Sequence, residues 1–108
     1  MALDKDFVQP EDITAPRAHW SLIKVLFKGD PEGFSIALGY WTTDEGEKYV
    51  VLAVRWNACE WRPVGNPHSR GLPTWFVLPE PLVEPIIESK IFDSKTREFI
   101  RNFIPKAR

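Results

Sequence analysis

Within the segment 34–41, FSIALGYW, the side chains of residues 34–40 alternate strictly between large and small. A period of two is typical of a β-strand, because successive side chains of a strand point to opposite faces of the sheet. One face of this strand therefore carries only Ser35, Ala37 and Gly39. We expect another element to pack closely against this small face. A helix is the simplest cover for a sheet face, and a groove for a ligand is the alternative.

Three other runs are also predicted to be strands. Residues 20–28 place apolar and polar side chains on opposite sides, and residues 48–57 contain a continuous apolar run that indicates a central, buried position. A shorter fourth strand is predicted at residues 74–78. Turns of suitable composition at 29–33 and 42–47 connect the first three strands, which favours an antiparallel meander.

The C-terminal part of the chain favours two helices. Residues 81–92 are predicted to be helical, with the regular helix beginning near Glu84, because the proline that follows is tolerated only in a first turn. Residues 93–104 have an apolar stripe at helical spacing, and Asp93 or Ser94 is the expected N-cap.

These elements predict an α+β fold with a single antiparallel sheet of about four strands, covered by one or two C-terminal helices. The sheet is expected to be a β-meander followed by a long loop and the fourth strand. A length of 108 residues is typical of one domain. We expect residues 1–19 to form an irregular N-terminal arm and residues 20–108 to form the α+β domain.

The composition favours the cytoplasm. Cys59 is the only cysteine, so no disulfide can form within the chain, and a reducing compartment is the simplest interpretation. No apolar run approaches the length of a membrane span, which predicts no membrane partner. The first sixteen residues are too polar for a signal peptide.

The segment 57–73 lies between the third and fourth predicted strands and contains three prolines and two glycines. Long loops of this kind are frequently functional, and the prolines would hold this one in a fixed shape. We therefore predict a small non-enzymatic binding module that contacts an unknown protein partner through this loop and the adjacent sheet face. The predicted binding residues are Arg55, Trp61, Arg62, Asn66, His68, Arg70 and Trp75.

Single-stranded nucleic acid is the alternative partner. Cations and aromatic rings are interleaved between residues 55 and 76, a mixture that suits phosphates and stacked bases. Residues 34–91 also place Arg55, Trp56, Gly71, Leu78 and Glu80 in an order of predicted elements that resembles the single-stranded DNA-binding transcriptional coactivator and whirly-type domains. This resemblance implies binding of a single strand. The long loop and the net charge of −1 differ from the pattern of those domains.

Enzymatic and metal sites have weaker signals. Cys59 and His68 are a possible thiolate–imidazole pair, although a lone cysteine is more often buried and inert. With His19 they make three irregularly spaced ligands, too few for structural zinc. We expect no catalytic residue, no metal and no cofactor. A homodimer through an exposed edge at the first or fourth strand is a further expectation, because such edges offer unpaired backbone groups.

Overall fold

The computed structural model of the protein describes residues 7–106, which contain six strands and two helices. A 3-10 turn at Pro10–Asp12 precedes them. The elements in chain order are β1 (Trp20–Lys28), β2 (Phe34–Thr42), β3 (Lys48–Trp56), β4 (His68–Ser69), β5 (Leu72–Pro73), β6 (Phe76–Val77), α1 (Glu80–Ile87) and α2 (Ser94–Arg101).

Four of these strands form one antiparallel sheet in the order β1-β2-β3-β6, and β4 pairs with β5 in a separate hairpin. The register between β2 and β3 is uninterrupted, from Phe34 opposite Trp56 to Thr42 opposite Lys48. The predicted α+β class and the meander of the first three strands are therefore confirmed.

The helices cover the sheet face that carries the large side chains of β2. Ile36 and Leu38 lie there with Leu52 of β3, and all three are buried. The apolar sides of α1 and α2 complete this core, with Ile87 and Ile100 fully buried against the strands.

The small face is covered by indole rings and the N-terminal arm. The rings of Trp20 and Trp75 stack with their centroids 5.7 Å apart, in a cluster that includes Ala37 of β2 and Ile13 of the arm. The expected close approach is confirmed at Gly39, where a Cβ atom would overlap the Trp20 ring. The expected helix was wrong: flat rings fill the shallow space above small side chains, while the helices pack on the large ones.

Several elements differ in extent from the sequence prediction, and one hairpin is additional. The fourth strand has two residues, and the hairpin β4–β5 was not predicted. The first helix begins at Glu80 instead of Glu84 and ends at Ile87, so Pro85 lies inside it. Pro85 is exposed there, and its missing N–H removes one hydrogen bond of the helix without ending it. The second ends at Arg101, and Asp93 is its N-cap, accepting a 2.7 Å bond from the Thr96 N–H.

The described part of the predicted arm, residues 7–19, packs on the sheet. It is irregular apart from the 3-10 turn, and Ala15 forms a parallel bridge with Thr74. Residues 1–6 of the predicted arm and 107–108 of the predicted domain lie outside the described residues.

One ionic cluster joins the two helices. Arg101 of α2 donates to Glu84 at 3.0 and 2.5 Å and to Glu88 at 2.5 Å, both on the α1 side. The hydrogen bonds from Arg101 lower the pKa of Glu84 below its ordinary value.

We predict that this cluster makes the protein less stable in acid. A carboxyl group whose pKa is lowered by folding stabilises the protein above its unfolded pKa, and that contribution is lost as the pH falls through the folded pKa. Denaturant unfolding of the wild type should therefore show stability falling below about pH 4. Glu84→Gln should make the fall shallower over that range, and an unchanged slope would contradict the assignment.

We also predict that Gly39→Ala lowers the free energy of unfolding by about 2 kcal/mol, because the added methyl group overpacks the space under the Trp20 ring. Denaturant unfolding measures this loss. In a Trp20→Leu background the same substitution should cost less, since the ring that it would overlap is gone. Equal costs in the two backgrounds would show that the ring is not the obstacle.

Candidate functional site

The loop after β3 is held in shape by one buried guanidinium group. Arg55 is 3% exposed and lies on the small face of the sheet, beneath the loop. Its guanidinium donates hydrogen bonds to the carbonyl oxygens of Val64, Pro67 and Thr74. These acceptors come from three separate points of the loop, so a single side chain fixes their relative positions.

The Arg55 charge is stabilised by these carbonyl dipoles. Burial and, to a smaller extent, the positive charge of Arg62 lower the pKa of Arg55 to about 10, so the group stays protonated at neutral pH. No carboxylate within residues 7–106 forms a salt bridge with it. Gly65, with φ +70°, packs directly on the guanidinium, where a Cβ atom would overlap it.

A second set of hydrogen bonds ties the start of the loop to the β1–β2 turn. The Asn57 amide donates to the Asp30 carbonyl at 2.8 Å, and its oxygen accepts from the Ser35 hydroxyl at 2.6 Å. Arg62 then donates to the Asn57 carbonyl at 2.8 Å and to the Gly33 carbonyl at 3.2 Å. The loop is thus fastened at both ends by side chains that point inward.

The outward surface of the same region is an apolar groove of about 550 Å³. Trp56 and Phe76 are about half exposed, at 52% and 54%. The Phe34 ring meets the Trp56 ring edge-on, with centroids 6.3 Å apart. We call this surface the aromatic groove; the side chains that define it are Phe34, Val54, Trp56, Pro67 and Phe76.

A cation lies between two exposed indoles beside the aromatic groove. The Arg62 guanidinium is 4.5 Å from the Trp61 ring centroid and 5.1 Å from the Trp56 ring centroid. Trp61 is at the tip of a tight turn, in which Cys59 and Arg62 exchange backbone hydrogen bonds of 3.0 and 3.1 Å. Its side chain is 66% exposed, as the sequence predicted for this tryptophan.

The structure separates the seven predicted binding residues into two groups. Trp61, Asn66, His68 and Arg70 are exposed and Arg62 is half-buried, so these five can reach a partner. Arg55 and Trp75 are buried, and their predicted role as contact residues is corrected: Arg55 organises the loop, and Trp75 covers the small face of the sheet.

The seven predicted binding residues do not include Phe34, Trp56 or Phe76 of the groove, although Trp56 and Phe76 belong to the mixture of cations and rings noted between residues 55 and 76. Phe34 lies on the same face of β2 as the buried Ile36, so the alternation along β2 predicts a core position for Phe34. Phe34 borders the groove because it is the first residue of β2 and lies opposite Trp56, the last residue of β3. Phe76 pairs with Val54 across the sheet and lies beyond the helices. The one usable signal was the aromatic residue at the end of both β2 and β3.

The structure does not join Cys59 to His68. The cysteine is buried, and the exposed His68 ring accepts a 3.2 Å bond from the Gly71 N–H in the β4–β5 hairpin. No hydrogen bond between the two side chains exists in the described chain. Among residues 7–106 no three His, Cys, Asp or Glu side chains are grouped to hold a metal ion.

Comparison of this chain with protein-family models, with curated proteins and with solved structures finds no significant match. The resemblance to coactivator and whirly-type domains therefore gains no support from these comparisons. Both helices of the described chain have eight residues, and neither is long or apolar enough to cross a membrane.

We predict that Arg55→Met loosens the loop and lowers the free energy of unfolding by about 3 kcal/mol, because three partly buried carbonyl groups lose a charged donor. Hydrogen exchange measured by mass spectrometry should show faster exchange in residues 57–75 than in the helices. Arg70→Met is the matched control, since Arg70 is exposed at the hairpin turn. Equal effects of the two substitutions would contradict the organising role of Arg55.

Proposed function

We propose that this protein is a non-enzymatic binding module that holds an apolar segment of a partner protein in the aromatic groove. The observation that carries the proposal is the joint exposure of Trp56 and Phe76 beside a fixed loop. Large exposed aromatic side chains are enriched at protein interfaces, where they bury much area with few rotatable bonds. The groove is shaped before binding, because Arg55 and Asn57 hold its loop.

Polar groups at the border of the aromatic groove would orient the bound segment. Asn66 is exposed, and its backbone is fixed by two hydrogen bonds to Trp56, of 2.7 and 3.1 Å. Arg62 lies on the adjacent side between its two indoles. An apolar floor with a few fixed polar groups is the usual composition of a specific binding groove.

A single-stranded nucleic acid is the second candidate partner, favoured by the stack of Trp56, Arg62 and Trp61. Base stacking on such rings needs cations along the strand to meet the phosphates. Arg55 is buried, and Arg62 already donates to the Asn57 carbonyl of the loop and to the Gly33 carbonyl of the β1–β2 turn. The charge available at the groove thus favours the protein partner.

We place this activity in the cytoplasm. The support is chemical: Cys59 is free and buried, and the chain contains no second cysteine for a disulfide.

The test is selection from a phage-displayed random peptide library. Peptides selected on the wild type should bind Phe76→Ser at least about tenfold more weakly, because removal of one buried aromatic contact costs about 1.4 kcal/mol or more. Fluorescence polarisation of the labelled peptides measures the change. Leu82→Ser is the matched control, because Leu82 is similarly exposed, at 49%, but lies on α1 outside the groove.

Two results would overturn the protein-partner assignment. Selected peptides that bind Phe76→Ser and Leu82→Ser equally would remove the groove from the interaction. Tight, salt-sensitive binding of a short oligothymidylate, lost in Trp61→Ala and without any peptide selected, would favour the nucleic-acid alternative.

A further inference from the structure

The outer edge of β3 is only partly occupied by the chain's own strands. Leu52 accepts a 2.8 Å hydrogen bond from the Leu78 N–H, and Trp56 exchanges two bonds with Asn66. These even-numbered residues direct their backbone groups away from β2. Backbone direction alternates along a strand, so Lys48 and Val50 direct theirs to the same side. No strand within residues 7–106 pairs with these two residues on that side.

The free part of β3 has an uninterrupted register against β2, whereas the register of the opposite edge strand is interrupted twice. The register of β1 against β2 shifts twice, around Ile23 and around Leu26, which bends that edge. Lys28 of β1 is also paired with Glu11 of the arm, at 3.3 Å. Bulges are one of the usual means by which an edge strand avoids pairing with another chain. The β3 edge has no bulge against β2.

We propose that a second copy of this chain pairs antiparallel with the free edge of β3, around a two-fold axis at Tyr49. This surface goes beyond the proposed function and shares only Phe76 with the aromatic groove, because that ring also borders the cavity beside the free edge. In this register, Lys48 of one copy pairs with Val50 of the other, and the two symmetric pairs form four backbone hydrogen bonds. Moving the axis to Val50 would require Leu52, whose carbonyl is already bonded to Leu78.

The side chains at the proposed axis suit a contact between identical strands. Tyr49 is 52% exposed, and the register places it opposite its own copy in a pair that is not hydrogen-bonded. Aromatic side chains in such cross-strand pairs stabilise a sheet. A second cavity, of about 510 Å³, borders this edge and is lined by Trp41, Val51 and Val77, among others, so apolar surface is available to the partner's ring.

The occupant proposed for this edge is a second copy of the chain, because the edge can pair with itself about a two-fold axis. An isologous contact requires a patch that is complementary to itself, and a short antiparallel strand edge is self-complementary in its backbone. The free edge is too short for a long ladder, so a weak dimer is expected.

The first test uses proline at an outward-pointing position. Lys48→Pro removes an N–H that makes no bond within the described chain, at the first residue of a strand, where proline is tolerated. Sedimentation equilibrium over a concentration series should show the wild type and Lys48→Ala approaching two chains, and Lys48→Pro remaining at one. Circular dichroism and unfolding of Lys48→Pro should match Lys48→Ala. A wild type that stays at one chain at all concentrations would overturn the proposal.

The second test fixes the register and does not depend on the stability of the dimer. Tyr49→Cys should form a disulfide-linked dimer under mild oxidation, because residue 49 faces its own copy. Glu47→Cys, exposed on the same sheet face, should not, because residue 47 faces residue 51 of the other copy. Cross-linking of Glu47→Cys as readily as Tyr49→Cys would overturn the register. Neither test involves the aromatic groove, so both are separate from the peptide-binding test.

Discussion

The shape of the binding region depends on one cation buried without a carboxylate. A charge removed from water is costly unless hydrogen bonds surround it. The two terminal nitrogens of Arg55 bind three loop carbonyl groups, while its buried Nε has no partner among the described residues. The loop therefore has to pass over the side chain in a conformation that directs those carbonyl groups inward. Gly65 allows the backbone to come close enough, because no Cβ atom stands between them. The hydrogen bonds that offset part of the cost of burying the charge therefore also give a long irregular segment a defined structure.

The aromatic groove is apolar because polar side chains near it bind backbone groups instead of facing solvent. With loop carbonyls bonded to Arg55, and with Asn57 and Arg62 bonded to backbone, the outer side of the region is left to rings and proline. Trp56 follows Arg55 on the same strand and points to the opposite face of the sheet. One strand end thus supplies both the residue that holds the loop and the ring that the loop leaves exposed.

The two faces of the sheet are covered by different kinds of element. Helices pack on the large side chains of one face, and stacked indoles with the N-terminal arm pack on the small side chains of the other. The chain returns from the loop to the sheet for only two residues, as β6, before α1 begins. The brevity of β6 leaves Lys48 and Val50 without a neighbouring strand in the described chain, which is the basis of the proposed self-association.

The sequence by itself determined the three long strands, the meander and the α+β class, and it limited the N-cap of the last helix to Asp93 or Ser94, because alternation and capping are local properties of neighbouring residues. It also indicated the exposure of Trp61, which lies among charged and proline residues. The tertiary structure alone decided that Arg55 is buried while Trp56 is exposed, and that Phe76 belongs to the groove. Burial at a strand end depends on which distant segment crosses each face, and no local pattern records where the loop and the arm will lie.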